Sequence, residues 1–377
     1  MPTTPPSLTR RALNRATLAR QMLLERSTDL RPHDAVHALA GLQAQAPLAP
    51  HVGLWSRLRR YSPAALDELY DAKRVVRSNL LRATVHLVTT DDALAWQALL
   101  GPVGARSVQA AFGKRLAGID LDALTEAARE LLGDCALSTA ELGQRLSLRF
   151  PGYEADALAY GARGRLALIH VPPRGKWNAS APTRQTTFTA WLGRDPEPTP
   201  RPDAMFLRYL AAFGPASVQD AQAWSGLTRL SEVADRLAPK LAAFRDPAGR
   251  ILYDLPDAPR PSEFVNAPVR FLPEYDNVFF GYADRTRIAA DLRKPPIPPG
   301  NGARTGTLLV DGEWRGTWKI ALPRLGRSGA ADVAALLSVV PFQKVSAAEQ
   351  EAIEREGADL ARFIAGPELA VRIEVGR

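Results

Sequence analysis

The chain is poor in the residues on which metal, redox and covalent chemistry depend. One of its 377 residues is cysteine, Cys135, which excludes an intramolecular disulfide and any cysteine-based zinc cluster. Of the five histidines, at 33, 37, 51, 86 and 170, His33 and His37 stand one helical turn apart. They lack the glutamate of a His-Glu-x-x-His site, and the pair reads as a partly exposed helix face. No glycine-rich phosphate loop and no strand-turn-helix nucleophile elbow is present. Neither a metal nor an organic cofactor is expected. No apolar run approaches the roughly 20 residues of a membrane span. The opening MPTTPPSLTR has no apolar segment of the signal-peptide kind, so the expected location is the cytoplasm, at the nucleoid through DNA binding.

What the chain does have is positive charge. Its 48 lysines and arginines against 40 acidic residues give a net charge of +8. Such a balance fits a polyanion, because lysine and arginine displace counterions from phosphates. Arginine dominates in a chain rich in Ala and Pro, a bias that genomic base composition also produces. With 46% hydrophobic and 23% charged residues, the composition is that of an ordinary globular protein. The length exceeds one simple core and predicts two to four domains.

The periodicity predicts an α+β fold of tandem winged-helix units with a β-rich C-terminal domain. Helices are expected over 13–25, over 33–42 with Val36, Leu39 and Leu42 on one face, and from Ser62-Pro63 onward. Val75 to Val88 is β-rich, with Arg77-Ser78-Asn79 expected as a polar turn between two runs. Helices followed by a hairpin give the winged-helix order over 1–118. A second unit, 119–195, contains a helix over 121–132, the capping box Ser138-Thr139-Ala140-Glu141, and Lys176-Trp177-Asn178 in a wing-like turn. Prolines 196, 198, 200 and 202 mark a linker. A third unit, 196–262, holds a helix-turn-helix pattern around Gly226. The β-rich domain, 263–377, has strands at 269–272 and 307–310 and a hairpin turn at Asp311-Gly312. Ser346 and Glu349 box the start of a helix, and 294–302 reads as a surface arm.

Gln43-Ala44-Gln45 stands where the second helix should end. On a helix, residues two apart point roughly 200° from each other. Pro47 and Pro50 push the chain out of the α region, so the pair leaves the helix and presents both amides to one space. Two solvated or capping glutamines at a helix end fit the same residues. His86 lies in an apolar strand pattern. It fits either a hydrogen-bonded structural histidine or a contact to the nucleotide.

These residues, together with Arg82-Ala83-Thr84-Val85-His86-Leu87-Val88 and Leu272-Pro273-Glu274-Tyr275-Asp276-Asn277, resemble the AlkZ-like bacterial DNA glycosylases. Those are winged-helix proteins that excise bulky N7-alkylated purines, and the likeness runs over most of the chain. It implies that Gln43 and Gln45 lie at the active site as the family's Gln-x-Gln motif, the branch associated with bulky adducts and interstrand crosslinks. It also implies a monofunctional enzyme acting as a monomer on double-stranded DNA, in repair or in self-resistance to an alkylating natural product. The chemistry is consistent. An N7-alkylpurine leaves as a neutral base, so no strong general acid is needed. Glutamine can orient water and face developing positive charge. Asp276 is the carboxylate expected next in line for water activation. No lysine stands near the glutamines (the nearest is Lys73), so lyase chemistry is not expected.

The expected DNA contacts are Arg57, Arg59 and Arg60 after the glutamines, Arg77, Arg82 and His86 on the first wing, Arg174 and Lys176 on the second, and Arg285 and Arg287 near the C-terminal motif. Two other readings use the same features. One is a dimeric winged-helix transcriptional regulator; the other is a protein that shields lesions without cutting.

Overall fold

The computed structural model describes residues 4–290, 305–323 and 334–376. Helix α1 (Arg10–Arg20) is followed by α2 (Pro32–Ala38), a short strand β1 (Leu42–Gln43), α3 (Ala49–Trp55), α4 (Pro63–Asp71) and the hairpin β2 (Val75–Asn79) and β3 (Val85–Thr89). The long α5 (Thr90–Phe112) leads to α6 (Leu121–Asp134), α7 (Thr139–Arg149), α8 (Ala155–Arg163) and the hairpin β4 (Leu168–His170) and β5 (Gln185–Thr187). A short α9 (Phe188–Leu192) precedes α10 (Pro202–Phe213), α11 (Val218–Ser225), α12 (Leu230–Leu237) and the hairpin β6 (Ala242–Arg245) and β7 (Ile251–Asp254).

One order of elements thus recurs three times: a helix, an extended residue, two helices and a hairpin. Each time the extended residue pairs with the second hairpin strand, Gln43 with His86, Leu137 with Gln185 and Ala216 with Tyr253. The helix after that residue begins at a serine box in the second and third repeats, Ser138 with Glu141 and Ser217 with Asp220, which satisfies its first amides.

The repeats are not separate bodies. β4 pairs with the outer edge of β2, so the first two hairpins form one sheet in the order β1-β3-β2-β4-β5. The boundary expected at 118–119 therefore falls between strands of a single sheet. Arg77-Ser78-Asn79 is not a turn. It lies within β2, where Arg77 donates to Ala44 O and Ser78 to Leu168 O, and the bend comes later, at Leu81–Ala83. Polar residues can run through a buried strand when neighbouring carbonyls take their protons. The sequence pattern does not announce α5, because Gly101, Pro102 and Gly104 interrupt it. A helix tolerates such interruptions when tertiary packing supplies its stability.

The C-terminal part comprises β8 (Arg270–Leu272), α13 (Asn277–Phe280), β9 (Gly306–Val310), β10 (Glu313–Ala321), β11 (Ala334–Pro341), α14 (Ala347–Ala365) and β12 (Ala370–Val375). Its sheet runs β12-β11-β10-β9-β8, antiparallel except for the β11–β12 pair. Asp311 (φ +47°) and Gly312 (φ +77°) form the expected two-residue turn. The arm expected at 294–302 lies outside the described residues. No described helix is long and apolar enough to cross a membrane.

α1 ties the third repeat to the C-terminal sheet through buried polar groups. Asn14 donates to Arg287 O and Gly312 O, and Arg15 pairs with Asp311. Arg20 grips both oxygens of Asp254 at 2.7 and 2.8 Å, with both side chains almost wholly buried. The first helix therefore belongs as much with residues 263–377 as with the unit it opens. Removing one partner of a buried ion pair strands the other charge, at a cost of about 3–5 kcal/mol. Asp254→Ala is expected to lose stability of that order in urea unfolding. A loss below about 1 kcal/mol would show that the pair is not a tie.

Candidate active site

The glutamine motif enters on β1. Helix α2 stops at Ala38, and Ala40 (φ +53°) and Gly41 (φ +90°) reverse the chain through the left-handed region. A Cβ at position 41 would lie 2.7 Å from Val88 Cγ1, so glycine is required both for its conformation and for its size. The chain then extends. Leu42 and Gln43 pair with Leu87 and His86, and Ala44 N donates to Val85 O. Directly opposed residues share one face of a sheet, so Gln43 and His86 face the same space. Gln43 is buried, and Gln45, in the bend that follows, is half-buried.

Arg82 organises that space from the turn between β2 and β3, at a left-handed φ of +54°. Its Nη2 donates to Gln43 Oε1 and Asn277 Oδ1, each at 3.1 Å, and to His86 Nε2 at 3.3 Å. Its Nη1 donates at 2.6 Å to Trp224 O, near the C-terminal end of α11. That end of a helix carries partial negative charge and suits a cation. The fit is close, since a Cβ on Gly226 would sit 3.3 Å from Arg82 Cα. No carboxylate among the described residues pairs with Arg82. Burial, and then neighbouring Arg285, lower its pKa to about 10, and it remains a cation at neutral pH held by neutral acceptors.

This network fixes which end of each polar side chain faces which partner. Arginine only donates, so the oxygen of the Gln43 amide faces Arg82 and its NH2 group points the other way. His86 Nδ1 lies 3.0 Å from Thr84 O and must carry the proton, leaving Nε2 to accept from Arg82. Burial, reinforced by Arg82, pushes the His86 pKa down to about 3, so its imidazole is neutral. His86 is wholly buried and is a structural histidine, not a surface contact for DNA.

The motif from 272 to 277 closes the site. Asn277 Nδ2 donates to Gly41 O at 3.1 Å while its Oδ1 accepts from Arg82. Asn277 thus joins the two left-handed turns that flank the glutamines, a role that neither turn motif reveals by itself. Asp276 does not serve as a water-activating base. Both its oxygens accept from Arg57, at 2.8 and 2.9 Å, and Oδ1 also caps α13 at Val278 N.

The structure divides the expected DNA-binding cations. Arg59 and Arg60 are exposed, and Arg174, Lys176 and Arg285 are half-buried. Lys176 pairs with Asp71, and Arg285 stacks 5.2 Å from the Phe280 ring centroid. The remaining arginines are structural. Arg57 is spent on Asp276, Arg77 on Arg174 O and Ala44 O, and Arg82 on the glutamine network. Arg287 donates to Pro215 O and lies 3.9 Å over the Tyr282 ring. Arg57, Arg77 and Arg287 are buried, so their charges are not offered to a phosphate, and Arg82, half-buried, has its donors taken by the glutamine network. A cavity of about 950 Å³ between α5, α6 and α8 is lined also by Asn79 and Ala83 at the β2–β3 turn and not by either glutamine of the motif.

A basic chain whose most tightly determined buried site is a cluster of neutral amides around a guanidinium fits an enzyme that acts on nucleic acid, and comparison with known proteins gives the class as DNA glycosylase. A family model described as AlkZ-like DNA glycosylase matches residues 36–363, and the chain belongs to that family. An interstrand DNA cross-link repair glycosylase of Streptomyces sahachiroi is 25% identical over 380 residues, covering 94% of this chain and 96% of the relative. The solved structure of Streptomyces sahachiroi DNA glycosylase AlkZ shares the fold, with a TM-score of 0.76 at 21% identity over 97% of this chain and 100% of that one.

The neutral His86 carries a pH signature. Its pKa is lower folded than unfolded, so its contribution to stability is full above about pH 6.5 and is lost as the pH falls towards about 3. The melting temperature of the wild type should fall more steeply across that window than that of His86→Gln. Parallel slopes would contradict a buried neutral imidazole.

Proposed function

We propose that this DNA glycosylase hydrolyses the N-glycosidic bond of N7-alkylated purines, with bulky adducts and interstrand crosslinks as its lesions, and leaves an abasic site. The observation that carries the reading is the fixed amide of Gln43, whose oxygen is held by Arg82, itself held by His86 and Asn277. A cationic N7-alkylpurine is already a good leaving group, so the remaining task is to place water against C1′ of the sugar. We assign donation from the Gln43 NH2 group and acceptance by Gln45 to that task. Positioning of this kind is worth several kcal/mol, on the order of 7–11 at best. Lys73 is 30 positions from Gln43 in sequence, and its Nζ donates to Trp191 O, which favours hydrolysis without a lyase step.

We read each of the three repeats as a winged helix and the surface cations Arg59, Arg60, Arg174, Lys176 and Arg285 as the track for the phosphate backbone. An open cleft admits an adducted base in place, whereas a snug pocket requires full extrusion. The protein acts as a monomer, and self-resistance to an alkylating natural product suits a substrate of this bulk. Family membership sets the transcriptional-regulator reading aside.

The test is excision from duplex DNA carrying N7-methylguanine or a bulky N7-adduct, with alkali cleavage at abasic sites. Gln43→Ala and Gln45→Ala should each lower the single-turnover rate by about 100-fold or more, with duplex affinity little changed. Full rates in both variants would remove the glutamines from the mechanism.

A further inference from the structure

The loop that carries Asp276 holds a second carboxylate, and its situation is the opposite. Glu274 is half-buried, and burial holds its pKa above the ordinary glutamate range. Among the described residues no arginine, lysine or histidine forms an ion pair with it, and no cation contributes to its shift. The charged groups on the surrounding elements are otherwise engaged. Arg57 and Asp276 hold each other, Arg82 is bound by neutral acceptors, His86 is uncharged, and Arg285 lies against Phe280. A carboxylate partly withdrawn from water without a counter-charge is costly.

The loop around it is built to stay in place. Trp318 Nε1 donates to Leu272 O at 2.9 Å, a Cβ on Gly53 would lie 3.6 Å from Pro273 Cγ, and Asn277 binds Gly41 O. Tyr275 is held at φ +60°, a strained conformation for a non-glycine residue that persists where surrounding structure enforces it. The contacts at Pro273 and Asn277 meet the chain at Gly53 and Gly41, the two ends of the segment that contains Gln43 and Gln45. The loop that carries Glu274 therefore runs along the segment that contains the glutamines.

We propose that Glu274 is a catalytic carboxylate of the excision reaction and that the missing counter-charge is supplied by the substrate. This rests on the N7-alkylpurine reading. The cationic base balances Glu274 in the bound state, and the oxocarbenium-like sugar does so as the C1′–N9 bond breaks. The bond's electron pair passes to the purine and neutralises it. Water forms the new C1′–O bond, and its proton passes to Glu274 and then to solvent.

The experiment is single-turnover excision of N7-methylguanine and of a bulky N7-alkylguanine from duplex DNA by the full chain and its Glu274→Gln and Glu274→Asp variants, as a function of pH. Glu274→Gln should be slower by about 10²–10⁴-fold, the range of general-base catalysis, and Glu274→Asp should recover part of the rate. The wild-type rate should fall as the pH drops through the raised pKa, and the residual rate of Glu274→Gln should lack that limb. Because the glutamine variant removes an uncompensated charge, its melting temperature and its affinity for undamaged duplex should be unchanged or higher. A Glu274→Gln rate within about twofold of an active wild type would overturn the proposal. So would a rate loss accompanied by lost stability or by lost affinity for undamaged duplex. A wild type inert on both lesions would overturn the substrate reading and this role with it.

Discussion

Asp276 sets both carboxylate oxygens on the guanidinium of Arg57, and neither side chain is exposed. The geometry of the candidate site depends on that pair. Arg57 closes α3, the helix that follows the glutamines, and it also bonds Gly53 O and Gln21. Asp276 opens α13 as its cap. The pair thus fixes the distance between the segment that leaves β1 and the loop that brings Asn277. Asn277 then meets Gly41 and Arg82, and Arg82 meets Gln43. Two charges taken from water together need near-ideal geometry, which the two-pronged contact supplies, although the buried Arg57 Nε has no hydrogen-bond partner among the described residues. Position along this chain of contacts passes from a buried ion pair to a neutral amide.

The second step uses a cation without an anion. Arg82 is half-buried against a backbone carbonyl, two side-chain amides and a neutral imidazole. A carboxylate in that place would neutralise Arg82 and compete with Gln43 for its donors. Neutral acceptors leave Arg82 charged and turn the Gln43 NH2 group outward, as a donor to a water oxygen and not as a partner for developing positive charge. Dipoles arranged in advance need no reorganisation during the reaction. The neutral state of His86 belongs to the same design, since a second cation beside Arg82 would disrupt it.

The threefold repetition places this site once. The extended residue that meets the hairpin is Gln43 in the first repeat, Leu137 in the second and Ala216 in the third. The scaffold position is the same and the chemistry is not. The first two hairpins share a sheet, α1 clamps the third repeat to the C-terminal strands, and the 272–277 loop reaches from the last part of the chain into the first. The site is therefore assembled from segments more than 180 residues apart, which explains why a family resemblance spanning the chain was more informative than any local motif.

Much of this was open to inspection in the residues. The capping boxes at Ser138 and Ser346, the Asp311-Gly312 turn and the exit of Gln43-Ala44-Gln45 from its helix follow from local chemistry, because caps, turns and proline restrictions act over a few residues. The strand run through Arg77-Ser78-Asn79 did not follow, since a polar run reads as a turn until carbonyls from β1 and β4 are brought to it. Local pattern likewise does not distinguish Arg57 and Arg287 from Arg59 and Arg60. All are basic, and which of them faces water is decided by the distant Asp276, Pro215 and Tyr282. The sequence alone determined which groups are available: amides, guanidiniums and carboxylates in a basic chain with one cysteine. The tertiary structure decided their protonation, orientation and partners, because burial and hydrogen bonding depend on neighbours that only folding supplies.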